Sequence, residues 1–188
     1  MIEVEKNFQP TEDQLAKMLA DSEFVSNKIL HDIYYDFEDA RLFRGYVKFR
    51  SRNGVYELKI KNQEGGNIEA KSETEIEDVE EIKKYFNTKK DLKEFVETEM
   101  VLWSNYENDR TEYHNGDFVI DIDKLSYGYG MVEIELMVDS IDKVADAEDK
   151  IINFAKKYDF EIKDVPSKGI SYFKMVKPEL YKKYYLKE

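Results

Sequence analysis

The sequence contains no cysteine, which excludes a disulfide framework and any thiolate chemistry. No stretch approaches the roughly 18 consecutive apolar residues of a membrane-crossing helix, so no membrane partner is expected. The opening Met-Ile-Glu-Val-Glu has neither the basic nor the apolar region of a signal peptide, so the expected location is cytoplasmic. Histidine is scarce, and His31 and His114 stand alone among neighbours that do not ligate metal. Internal repeats and low-complexity linkers are absent, so residues 1–188 are expected to form one domain. Basic residues are in deficit, with 29 Lys and Arg against 41 Asp and Glu and a net charge of −12. A uniformly acidic surface repels nucleic acid, and it repels free phosphate too. A polyphosphate ligand would need the cations gathered in one place and a divalent metal to offset the carboxylates.

What is present is a foldable pattern, with 41% hydrophobic and 14% aromatic residues. Residues 2–8 alternate as a strand. Pro10 ends it, and Thr11-Glu-Asp-Gln14 reads as a capping box that opens a helix to about Asp21. Strands are expected over 29–36, then over 47–52 and 55–61 as a hairpin around Asn53-Gly54. Gly65-Gly66 turns into another strand over 67–74. Residues 75–102 look helical, broken near Asn87-Thr88, with Trp103 as a core residue of that stretch. Strands follow over 106–113, 118–124 (after Asn115-Gly116) and 131–138. An amphipathic helix spans 141–158, a last strand 170–176, and a terminal helix 178–185. About eight strands with intervening helices make an α+β, mostly antiparallel fold. So charged a sheet has an edge problem unless it closes on itself.

Strand residues two apart share a face. The charged parity gives Glu3 and Glu5; Lys48, Arg50 and Arg52; Glu57, Lys59 and Lys61; Glu69, Lys71 and Glu73; Asp121 and Asp123; Glu133 and Glu135. The opposite parity is apolar: Val47 and Phe49, Leu58 and Ile60, Ile120 and Ile122, Val132 and Ile134. An ordinary sheet with one solvated face alternates too, but here the charges are sorted by sign. Three strands pair carboxylates at i and i+2, while the 47–61 hairpin is mainly cationic. Carboxylates suit Mg²⁺ or Mn²⁺, and Lys and Arg suit phosphate oxygens. The acidic run from Glu69 to Glu81 otherwise reads as a solvated helix start.

Several of these segments resemble one family. Ile2-Glu-Val-Glu-Lys-Asn-Phe8 is similar to the E-x-E-x-K signature of the CYTH, or triphosphate tunnel, superfamily. Asp32-Ile-Tyr-Tyr-Asp36 resembles its D-x-Y-Y-D strand. Tyr56-Glu-Leu-Lys59, preceded by Lys48 and Arg50, resembles the W-E-L-K strand of the thiamine triphosphatase branch. Asp121-Ile-Asp123, Gly128-Tyr129, Glu133-Ile-Glu135 and Pro166-Ser-Lys168 with Tyr172 follow in family order.

The resemblance implies a closed eight-stranded antiparallel β-barrel with helices packed outside. It implies a metal-dependent hydrolase of triphosphate compounds, inorganic tripolyphosphate or thiamine triphosphate. Glu3, Glu5, Asp121, Glu133 and Glu135 would hold Mg²⁺ or Mn²⁺. Lys48, Arg50, Lys59, Arg110 and Lys168 would bind a small-molecule triphosphate. Tyr34, Glu5 and Lys59 would be catalytic. Tyr46 either stacks on an organic group at the tunnel mouth, where the thiamine branch has tryptophan, or packs in the core. The chain departs from the signature at position 7, where Asn7 replaces lysine, so turnover is expected to be slow. A class IV-type adenylate cyclase, an RNA 5′-triphosphatase and a non-catalytic polyphosphate-binding protein are the alternatives. The expected oligomeric state is a monomer or weak homodimer.

Overall fold

A computed structural model describes residues 1–61 and 71–186. The Gly65-Gly66 turn, the expected strand start at Asn67, and Glu69 lie outside the described residues, as does the side chain of Lys71. The elements are β1 (Ile2–Phe8), α1 (Glu12–Ala20), β2 (Glu23–Asp36), α2 (Arg41–Arg44), β3 (Val47–Arg52), β4 (Val55–Lys61) and β5 (Lys71–Ile76). Then come α3 (Val79–Tyr85), α4 (Leu92–Glu99), β6 (Val101–Asn115), β7 (Phe118–Leu125) and β8 (Gly130–Val138). A 3₁₀ turn (Ile141–Lys143), α5 (Val144–Lys157), α6 (Lys168–Val176) and α7 (Pro178–Tyr185) complete the described chain.

The eight strands pair antiparallel in a continuous ring, β1-β5-β4-β3-β2-β6-β7-β8, which β1 closes by pairing with β8. Both hairpin signals hold: Asn53 and Gly54 take positive φ at the β3–β4 turn, and Gly116 does so between β6 and β7. The capping box at Thr11 forms as expected, with Gln14 returning a bond to the Thr11 backbone.

The apolar parity faces outward, where helices cover it. Val4, Phe8, Ile120, Val132 and Ile134 pack with Met18 of α1 and with Val144, Ala147 and Ile151 of α5. On the other flank Phe49 and Leu58 pack with Leu42, Ile82, Leu92 and Val96 of α2, α3 and α4. Burying each such large side chain contributes about 1.5–3 kcal/mol. The core therefore lies between ring and helices, and the charged parity is left to the ring's interior.

Three expectations are corrected. Two helices parted around Asn87-Thr88 form as expected, but the ends of the 75–102 span are strand: β5 runs to Ile76 and β6 begins at Val101, so Trp103 is a strand residue. Residues 170–176 form a helix and not a strand. Ser167 accepts the Ile170 N–H as an N-cap, and Lys168, Ser171 and Tyr172 are buried at helical spacing. The ring is already closed by eight strands, so it has no edge for a ninth at that point. β2 and β6 are also longer than expected, because residues 23–31 of β2 pair with β6 beyond the reach of β3.

Candidate functional site

The inward residues of the ring line a cavity of about 690 Å³. Ten of the eleven residues given a catalytic, phosphate or metal role from the sequence line it: Glu3, Glu5, Tyr34, Lys48, Arg50, Lys59, Arg110, Glu133, Glu135 and Lys168. Asp121 sits behind this wall against Arg110, the two side chains forming an ion pair.

One side of the cavity is carboxylate-rich because of strand register. Glu5 lies opposite Glu135, and both Asn7 and Asp121 lie opposite Glu133. Ligand oxygens of Glu3, Glu5 and Glu135 lie within 4.8 Å of one another, as do those of Asp121, Glu133 and Glu135. Burial raises the Glu135 carboxyl well above the carboxylate range, and Glu3, Asp121, Glu133 and Glu5 add to the effect. Burial likewise pushes Asp121 up to about 6, against the pull of Arg110 and with Asp123 and Glu133 adding.

Two cations hold this side together. Arg110 forks onto Asp123 with both bonds at 2.7 Å, reaches Glu133 at 2.7 Å, and pairs with Asp121. Lys168 pairs with Asp123 and Glu133. The Oδ1 of Asp121 is buried with no hydrogen-bond partner. Crowded, buried carboxylate oxygens, one of them unsatisfied, suit a hard divalent cation. The donor set therefore fits a metal of the Mg²⁺ or Mn²⁺ kind.

A pH dependence follows for the metal-free protein. Folding tightens the hold of Asp121 on its proton, from an ordinary 3.8 to about 6. Stability from this group is thus full below pH 4 and falls as pH rises through about 6. Urea unfolding in EDTA across that window should show the decline, and Asp121→Asn should make it shallower, the remainder coming from Glu135 and Glu3, which burial also raises. A slope identical in the variant would remove Asp121 as its source.

The opposite side carries the cations. Arg50 donates to Glu57 at 2.6 Å, to the Tyr34 hydroxyl at 3.2 Å, and approaches Glu75 at 3.5 Å. Lys59 bonds Glu3 at 3.1 Å, and Lys48 bonds Glu73 at 2.5 Å. Burial pushes the Tyr34 phenol up, but Arg50, with Arg52 and Lys48, outweighs it and leaves the group below its ordinary range. Burial would lower Lys59, yet Glu3 and Glu75 hold it protonated. These side chains form a cationic surface that can exchange carboxylate partners for phosphate oxygens.

Asn7 is buried on the inward parity, its Nδ2 donating to Val165 O at 3.3 Å. Asp32 is fully buried under a bidentate bond from Arg52, at 2.7 and 2.9 Å. Asp36 accepts the Leu42 and Phe43 backbone N–H groups at 3.0 and 2.9 Å and so anchors α2. His31 contacts Asn105 and His114 contacts Glu112, both outside the carboxylate clusters.

Sequence reasoning missed Glu75, which lines the cavity with Glu73. The signal was available: 73 and 75 continue the i, i+2 carboxylate rule inside the run assigned to a helix start. It also missed the places of Trp103, Tyr184 and Tyr185 on the cavity wall.

The family profile described as the CYTH domain matches residues 1–167. No curated protein matches significantly. Among solved structures, the PH1819 protein of Pyrococcus horikoshii is 19% identical with a TM-score of 0.65, over 95% of this chain and 99% of that one. A candidate adenylate cyclase from Vibrio parahaemolyticus is 17% identical, TM-score 0.57, over 87% and 95%. HpAC1 from Hippeastrum, a candidate adenylyl cyclase described as having a dominant triphosphatase activity, is 16% identical, TM-score 0.57, over 92% and 94%. At these identities the likeness is one of fold. Among the described residues no helix is long and apolar enough to cross a membrane.

Proposed function

Because the chain belongs to the CYTH domain family, we propose that it is a metal-dependent triphosphatase whose ring works as a triphosphate tunnel. The observation that carries the reading is the gathering around one cavity of the carboxylates Glu3, Glu5, Glu133 and Glu135 of β1 and β8 with the cations Lys48, Arg50 and Lys59 of β3 and β4.

Glu3, Glu5, Asp121, Glu133 and Glu135 would hold Mg²⁺ or Mn²⁺, which when bound neutralises phosphate charge and polarises the phosphoryl group. Lys48, Arg50, Lys59 and Lys168 bind the phosphate oxygens and neutralise the charge that grows on the equatorial oxygens during transfer. Arg110 belongs to the same set, held in place by its fork onto Asp123. Tyr34, with its phenol against Arg50, and Glu5 orient the attacking water. Asn7 gives that water no ammonium neighbour, so turnover is slow relative to binding. Tripolyphosphate and thiamine triphosphate are the leading substrates. An adenylate cyclase is the second reading, favoured by the fold shared with the Vibrio protein.

A phosphate-release screen over tripolyphosphate, thiamine triphosphate, ATP and GTP tests the proposal. Release should require Mg²⁺ or Mn²⁺ and stop in EDTA. Tripolyphosphate with Mg²⁺ should also raise the melting temperature, since a ligand at a hundredfold excess over Kd adds about 2.7 kcal/mol. Cyclic nucleotide and pyrophosphate from ATP would replace the triphosphatase by the cyclase. Neither turnover nor a thermal shift with any triphosphate would end both.

A further inference from the structure

β2 outruns the strand on one of its two sides. It pairs with β6 from Glu23 to Asp36, but with β3 only from Asp32 to Tyr35, because that hairpin turns back at Asn53-Gly54. His31 is held at the turn: its carbonyl accepts the Asn53 N–H at 3.0 Å, and its own N–H donates to Asn53 Oδ1 at 2.8 Å. Beyond it, among the described residues, no strand pairs with that side of residues 23–30.

Backbone groups point to alternate sides along a strand, and the register with β6 is regular from Ser26 to Tyr34. What holds for His31 therefore holds for Ile29 and Asn27. The N–H and C=O of both residues point away from β6, into the open side. An edge of this kind is a template for another strand. The stretch contains no proline to guard it. Its one lysine, Lys28, shares parity with Asp32 and Tyr34 and so belongs to the interior face of the sheet. A bulge at Val25 limits the length of the edge without covering it. Phe24, Val25 and Ile29 are 57%, 43% and 58% exposed. Although the chain carries a net charge of −12, residues 23–30 hold one acid, Glu23, and one base, Lys28, so two copies of this edge do not repel.

We propose that the β2 edge joins a second copy of the chain, β2 against β2, antiparallel about a two-fold axis. The inference is independent of the triphosphate reading. Two-fold pairing of the open groups can centre on residue 27, 28 or 29. A centre at Ile29 pairs Asn27 with His31, whose groups Asn53 already holds. A centre at Lys28 sets one Lys28 directly opposite the other, and like charges so placed destabilise the pair. A centre at Asn27 meets neither obstacle. There Asn27 exchanges both bonds with Asn27 of the second copy, Ser26 faces Lys28, and the exposed Val25 meets the exposed Ile29 on each side of the axis. The Asn27 side chain is kept out of the way on β6, its Nδ2 donating to Asp109 at 2.8 Å and to Thr111 at 2.9 Å. Main-chain bonds supply the affinity, and the Val25–Ile29 pairs fix the register of an isologous interface. The ladder is short, so the dimer is a weak one.

The absence of cysteine makes a clean test possible, since a single introduced thiol reports on one position. In this register the two Asn27 Cα atoms stand about 5.5 Å apart, within reach of a disulfide, whereas the two Ile29 lie too far out of step to bridge. On mild oxidation Asn27→Cys should give a cross-linked dimer at least tenfold faster than Ile29→Cys. Sedimentation of the wild-type protein between about 10 µM and 1 mM should show a dimer that dissociates on dilution. Val25→Lys places a charge against Ile29 and should weaken that dimer at least tenfold, while an unchanged melting temperature shows that the fold is intact. A wild type that stays monomeric throughout overturns the proposal. So does a dimer that Val25→Lys leaves unchanged, which would have to form through another face, and so does cross-linking at position 29 as fast as at 27.

Discussion

Arg110→Ala is expected to destabilise the metal-free protein by about 3–5 kcal/mol, the cost of removing one partner from a buried ion pair. The guanidinium touches Asp121, Asp123 and Glu133, all buried. Alanine keeps the Lys168 pairs with Asp123 and Glu133 but removes the ion pair between Arg110 and Asp121. Arg110→Lys should fall between, since an ammonium cannot reproduce the fork onto Asp123. Urea unfolding in EDTA measures the loss, and the same experiment in millimolar Mg²⁺ should recover part of it, because a divalent cation restores positive charge to the cluster. A loss below about 1 kcal/mol, with no response to Mg²⁺, would show that the cluster does not depend on Arg110.

Glu133→Gln combined with Glu135→Gln should lower kcat/KM for tripolyphosphate by about 10³ or more. A bound metal supplies several kcal/mol of transition-state stabilisation, and each 1.36 kcal/mol is tenfold in rate. Glutamine keeps the shape of the side chain and one acceptor oxygen, so the fold should persist. Burial and the neighbouring carboxylates already favour the neutral form of Glu135, so a neutral glutamine there costs the fold little. Any remaining activity should be insensitive to EDTA, and calorimetric titration with Mn²⁺ should show no binding. A double variant that hydrolyses tripolyphosphate at the wild-type rate would refute the metal assignment.

The fold was readable where one residue pattern had one structural meaning. Alternation of Val47 and Phe49 with Lys48 and Arg50 marked both a strand and its orientation, because the apolar set had helices to cover it. The two Asn-Gly turns set the register of β3 with β4 and of β6 with β7, while the separate β1–β8 and β7–β8 pairings bring Glu5 to Glu135 and Asp121 to Glu133. The errors lie where short-range pattern and tertiary context separate. Residues 170–176 carry apolar groups compatible with either period, and the Ser167 cap together with the closed ring decided for helix. Trp103 could not be placed by parity, because a bulge is a local violation of parity. Asp36 looked like part of a functional signature, but its oxygens are engaged by the α2 backbone. Arg110 was assigned to phosphate alone, whereas its three carboxylate partners come from β7 and β8, a relation visible only once those strands are paired with β6.

The closure of the ring through β1 also bears on how the protein comes to exist. β1 lies between β5 and β8, so its partners are about 70 and 130 residues away in sequence. Pairings of such long range form late and make folding slow, on the scale of milliseconds to seconds. Glu3 and Glu5 belong to this strand, and Glu135 faces Glu5 across the seam. A chain emerging from the ribosome therefore cannot gather these three carboxylates until residue 138 has been made and the seam has zipped. The growing polypeptide thus passes through synthesis without the Glu3, Glu5 and Glu135 cluster, and a cation held there would enter only once the seam has closed.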